Sequence, residues 1–82
     1  MTKHHVYILQ SISRPDQFYT GLCADVQARL AAHNAGQSSH TSKYKPWKLL
    51  SCHWFADESA AAAFEQYLKS GSGRAFAAKR LR

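Results

Sequence analysis

Carboxylates are scarce in this chain: five Asp and Glu stand against eleven Lys and Arg among 82 residues, a formal charge of +6. Asp16 follows Pro15 in a turn, Asp25 and Asp57 stand where helices begin, and Glu58 neighbours the second of them. Glu65 is left as the carboxylate without a local task, which argues against a two-metal centre and leaves a one-metal scheme. Cysteine is equally sparse. Cys23 and Cys52 lie far apart with no C-x-x-C spacing, so neither a disulfide framework nor a zinc knuckle is indicated. Both read as small buried hydrophobes in a reducing compartment, the cytoplasm. No long apolar run is present, so the Met1 end reads as neither a signal peptide nor a membrane span. Beyond the Ala60–Ala63 run there is no low-complexity tract, and no segment repeats.

A chain of 82 residues fits a single domain, 1–82, with a thin core of two layers. It has no room for an enclosed cofactor cavity, so a site belongs in a surface groove, which favours a polymeric substrate. The sequence pI near 9.7 is the balance of a protein that meets phosphates. The cations fall in two groups, Lys43, Lys45 and Lys48 in mid-chain, then Lys69, Arg74, Lys79, Arg80 and Arg82 towards the end. Two basic patches on a folded body follow.

His5 to Gln10 is short and rich in β-formers, hence a strand, with Val6 and Ile8 on one face and His5, Tyr7 and Leu9 on the other. Ser13-Arg14-Pro15-Asp16 is a turn, and Gln17 to Leu22 returns as the second strand of an antiparallel hairpin. Asp25 as N-cap and Gly36 as C-cap bracket a helix over 26–35, with Val26, Leu30 and His33 in one stripe and Arg29 on its flank. Gln37 to Lys45 reads as an exposed loop closed by Pro46, and Trp47 to Phe55 as a third strand. Trp47 and Trp54 read as core or sheet-face aromatics. Asp57 caps a second helix running to Ser70, with Ala61, Phe64 and Leu68 inward and Glu65 at the margin. Gly71-Ser72-Gly73 then breaks it before a basic terminal helix, Arg74 to Arg82, anchored by Phe76 and Leu81. The fold class is α/β (α+β): a small three-stranded antiparallel or mixed sheet flanked by helices, in the order β-β-α-β-α-α.

The unusual polar set is Tyr7, Tyr19, Arg29, His33 and Glu65. Arginine supplies a permanent planar fork matched to phosphate oxygens. A tyrosine can pass a proton when neighbouring cations bring its pKa down. A lone glutamate can hold Mg²⁺, which keeps several waters and takes phosphate oxygens as further ligands.

In this order the residues resemble the GIY-YIG nuclease family. Val6-Tyr7-Ile8 is similar to its first motif and Tyr19-Thr20-Gly21 to its second, with Arg29 and His33 in the following helix and Glu65 in a later one. The likeness extends through His40-Thr41, Lys43 to Leu49 and Glu65 to Arg74, where the chain looks most like the small stand-alone bacterial members similar to the N-terminal domain of the excinuclease C subunit. Val6 replaces the first motif's glycine, Thr20 the second motif's isoleucine, and Leu22 stands where some members carry lysine.

The resemblance implies a metal-dependent endonuclease cleaving DNA phosphodiesters, as in repair or recombination. Tyr7 would be the base or the group orienting water, Tyr19 its partner, and Arg29 the stabiliser of phosphorane-like charge. His33 would carry a proton or bind phosphate, and Glu65 would hold Mg²⁺ (or Mn²⁺). His40, Lys43, Tyr44, Lys45, Lys48, Lys69 and Arg74 are the expected nucleic-acid contacts. A protein partner supplying specificity fits a chain without a recognition domain. The rival reading is a nucleic-acid-binding module with the same groove and little or no turnover.

Overall fold

The computed structural model describes residues 2–82. Three strands, β1 (His5–Ser11), β2 (Phe18–Cys23) and β3 (Trp47–Trp54), form one sheet in the order β2-β1-β3, with both neighbours antiparallel to β1. The helices are α1 (Val26–Asn34), α2 (Ser39–Ser42), α3 (Glu58–Lys69) and α4 (Gly71–Arg80). The three-stranded sheet and its flanking helices are those expected from the sequence.

Alternation along the central strand sets the layers. Val6 and Ile8 point to one face, where they pack with Ala61 and Leu68 of α3 and Ala77 of α4. Tyr7 and Leu9 point to the other face and pack with Cys23 and Trp47, flanked by Val26 and Leu30 of α1. Helices α1, α3 and α4 are each started by a side-chain cap. Asp25 accepts from the Ala28 amide, Asp57 from the Ser59 amide and Ser70 from the Gly73 amide. Gly36, at φ 78°, ends the α1 region in the left-handed backbone that glycine takes at no cost.

Five local expectations are corrected. The stretch 37–45 is not simply an exposed loop: Ser39–Ser42 forms α2, and its Thr41 is buried. Gly71-Ser72-Gly73 is the first turn of α4 rather than a break, because the chain turns one residue earlier at extended Ser70, whose hydroxyl caps the new helix. Ala77 is the buried anchor of α4, with Leu81 half-buried beside it, whereas Phe76 stays largely exposed against Tyr67. Cys23 is buried but Cys52 is exposed. Trp47 is buried but Trp54 is 64% exposed, its ring stacked on His4. Among the described residues no helix is long and apolar enough to cross a membrane.

Candidate active site

Tyr7 and Glu65 stand on elements that cover opposite faces of the sheet, yet they line the same groove. The route is the edge strand β2. Tyr7 is directly across from Gly21 in the β1–β2 register. Because Gly21 has no Cβ, the Tyr7 ring lies flat over it, and any Cβ there would collide with the ring and its hydroxyl. The tyrosine oxygen is thereby carried out to the β2 edge. Helix α3 packs under β2 from the other face and brings the Glu65 carboxylate to that edge.

The resulting groove, about 660 Å³, is lined by Tyr7, Tyr19, Arg29 and Glu65, with Gly21 in its floor. Four of the five residues singled out by sequence therefore meet at one place. Arg29 projects from α1 as an exposed side chain and has no ion-pair partner among the described residues. Glu65 is 9% exposed, and both its oxygens have partners: Lys69 Nζ lies 2.6 Å from Oε2, and Gln66 Nε2 donates to Oε1 at 3.2 Å. Lys69, expected as a nucleic-acid contact, is thus also the counter-ion of this carboxylate.

The fifth residue, His33, is not a wall of the groove. It lies fully buried behind Tyr7, its Nε2 3.1 Å from the Tyr7 hydroxyl and its Nδ1 2.8 Å from Thr41 Oγ1. Thr41 is fixed in turn, since its carbonyl accepts the Trp47 indole N–H at 3.0 Å. The Tyr19 ring closes the cluster, 4.8 Å from the His33 ring and 6.2 Å from that of Tyr7. Burial inside this cluster pushes the Tyr7 phenol above its ordinary value, while the Arg29 guanidinium beside it pulls the other way. Burial, reinforced by the positive charge of Arg29, lowers His33. At neutral pH both rings are therefore neutral. Two neutral tautomers satisfy both contacts; in the one with Nδ1–H donating to Thr41 and Nε2 accepting from Tyr7, the phenol proton is given to His33 and a lone pair of the Tyr7 oxygen is left for the groove.

Thr41 was not legible as part of this chain. Its hydroxyl sits in a run of serines, threonine and lysine with no periodic signal. Of the expected nucleic-acid contacts, His40, Lys69 and Arg74 lie together in a second groove beside the first. Tyr44 instead packs edge-on against Trp47, with Lys43 over its other side, and Lys45, with its ammonium near Gly36, and Lys48, on exposed β3, line neither groove.

Among the described residues no three His, Cys, Asp or Glu converge as a metal cage. One buried carboxylate facing an open groove nevertheless fits Mg²⁺, which accepts a single protein oxygen and fills its remaining positions with water and phosphate.

Known proteins are similar to this chain over most of its length. UPF0213 protein SH2523 of Staphylococcus haemolyticus is 36% identical over 73 residues, covering 88% of this chain and 87% of its own. UPF0213 protein SpyM3_1077 of Streptococcus pyogenes serotype M3 is 33% identical over 88% of this chain and 77% of its own. The archaeal UPF0213 protein HQ_3675A of Haloquadratum walsbyi is 35% identical over 82% and 74% respectively. No solved structure matches. The GIY-YIG catalytic domain model matches residues 3–79, nearly the whole chain, and with the two tyrosines, the arginine and the glutamate gathered at one strand edge, the chain belongs to the GIY-YIG family.

Proposed function

We propose that this protein is a Mg²⁺- or Mn²⁺-dependent endonuclease that hydrolyses phosphodiester bonds of DNA. The observation that carries this reading is the meeting of Tyr7, Tyr19, Arg29 and Glu65 around one groove at the β2 edge. Glu65 would hold the cation, which when bound supplies positive charge at the phosphate and an acidic water near the leaving oxygen. Lys69, which also lines the second groove, must release the carboxylate for this.

Arg29 binds the phosphate oxygens and stabilises charge that grows as the water attacks, a preorganised contribution of about 10² to 10³ in rate. Tyr7 orients that water. In the tautomer where its own proton goes to His33, its oxygen would accept a hydrogen bond from the nucleophile instead of donating one. Tyr19 fixes the position of both rings. His33 acts through Tyr7, because its burial keeps it from touching phosphate.

The alternative, a binding module with little turnover, is favoured by one contact, the Lys69 ammonium against the presumed metal ligand. One assay separates the two. Purified protein is incubated with branched, single-stranded and duplex DNA, in Mg²⁺ and in EDTA, beside Glu65→Ala and Arg29→Ala. Cleavage that needs Mg²⁺ and disappears in both variants is the expected result. Binding without cleavage in every condition would establish the module, and equal cleavage by wild type and Glu65→Ala would defeat the nuclease reading.

A further inference from the structure

The second groove lies further along the same strand edge, walled by Phe18, Lys69, Arg74 and Arg82, with His40 opposite and Tyr19 shared with the first groove. We propose that it is a separate phosphate site, built around Arg74 and Arg82, that grips the nucleic-acid strand one or two phosphates away from the bond held beside Glu65 and Arg29. This rests on the nucleic-acid reading above and adds to it a register and a residue, Arg82, that was not among the expected contacts.

Charge is the first support. Lys69 is compensated by Glu65, but among the described residues neither the Arg74 nor the Arg82 guanidinium enters an ion pair, and no Asp or Glu lines this groove. Two adjacent uncompensated guanidinium groups are a standing electrostatic cost that a phosphate relieves. Geometry is the second. The Arg82 guanidinium lies over the Phe18 ring, 4.0 Å from its centroid. Stacking uses only the flat face of the group, so its in-plane N–H donors remain available for the paired oxygens of a phosphate. The same contact argues against a base-stacking role for Phe18, since the face that a base would take is occupied.

Spacing is the third. Gly21 floors the first groove and Phe18 the second, three residues apart on β2, which is about 10 Å of extended strand. Consecutive phosphates of one DNA strand are about 7 Å apart along the backbone, longer than the axial rise of about 3.4 Å, so a backbone running along β2 presents its first or second further phosphate to Arg82. Tyr19, standing between, would lie under the connecting sugar.

The test is DNA binding measured by fluorescence anisotropy in EDTA, which leaves turnover out of the reading. Arg82→Gln and Arg74→Gln are compared with Lys79→Gln, which removes the same charge from an exposed position of α4 outside the groove. Each groove variant is expected to weaken binding by up to roughly eightfold at about 0.1 M salt and to lower the log–log salt slope by about 1. Lys79→Gln is expected to change affinity by less than about twofold. In oligonucleotides carrying one neutral methylphosphonate, a substitution one or two positions from the cleaved bond should weaken binding by wild type but not further by Arg82→Gln. If both arginine variants match Lys79→Gln while wild type still binds and cleaves, the second site is wrong and the nuclease reading stands. If wild-type binding is absent or insensitive to salt, both fall together.

Discussion

The two faces of the central strand divide the work of the molecule between them. On the α3/α4 face, Val6 and Ile8 pack in an apolar cluster with Ala61, Leu68 and Ala77, while the buried Glu65 carboxylate of α3 lies out at the β2 edge. One residue along, on the α1 face, Tyr7 is equally buried but sits in a chain of polar contacts through His33 to Thr41 and the Trp47 indole. Burial is the same on both faces; what differs is that on the α1 face Tyr7, His33 and Thr41 are joined by hydrogen bonds, although His5 Nδ1 on that face is buried without a partner among the described residues. One side of β1 supplies stability, and the other supplies a tyrosine whose orientation is fixed from behind.

The difference can be broken from either side. The largest effect is expected at the groove. Arg29→Ala should lower Mg²⁺-dependent cleavage by about 10² to 10³ while leaving the denaturation midpoint nearly unchanged, because the side chain is exposed. Cleavage rates and urea melts on the same preparation check both halves. Ile8→Ala should do the reverse. Removing a fully buried branched side chain from the apolar face costs about 2 to 5 kcal/mol of stability, with cleavage per folded molecule preserved. If the two variants gave the same pattern, the faces would not be distinct.

A smaller effect sharpens the contrast within the α1 face. Thr41→Val keeps the shape but leaves His33 Nδ1 without its partner, so a loss of about 1 to 3 kcal/mol in urea melts is expected, together with slower cleavage. Ordinary cleavage in this variant would show that His33 needs no fixing to orient Tyr7.

The smallest effect is in pH. His33 is held neutral in the fold, with its folded value below the ordinary 6.5. Below that pH the unfolded chain binds a proton that the folded one refuses, so stability should fall as pH drops under about 6.5 and level off once the folded value is passed. Above pH 6.5 this histidine adds no slope. His33→Gln should flatten that part of the stability–pH curve, and an unchanged curve would mean that another group causes it.

The division between faces was legible because alternation in a six-residue strand assigns sides without reference to tertiary structure. The pairing of Tyr7 with Gly21 was not. A glycine at the end of a β-run reads as a relaxed exit, and only the register shows that its missing Cβ makes room for a ring. Thr41 was hidden for a related reason: a short polar segment carries no hydrophobic period, yet one hydroxyl in it closes a buried contact that propensity does not encode. Glu65 was placed at the margin of its helix stripe and is indeed close to fully buried, but the edge-strand route by which it reaches the tyrosine follows from the order β2-β1-β3. At α4, glycine and serine composition suggested a break where a Ser70 cap starts a helix instead. Phe76, Trp54 and Cys52 remind us that residue type sets the average burial and the local face sets the actual one.

The most direct measurement is a crystal soaked with Mn²⁺ and a short oligonucleotide, with the cation located by its anomalous scattering. A Mn²⁺ peak about 2.1 Å from a Glu65 carboxylate oxygen, with a phosphate between it and the Arg29 guanidinium and the Tyr7 hydroxyl facing that phosphate, is the expected result. A cation bound away from Glu65, or a phosphate seated where Tyr7 cannot reach it, would contradict the single reaction centre.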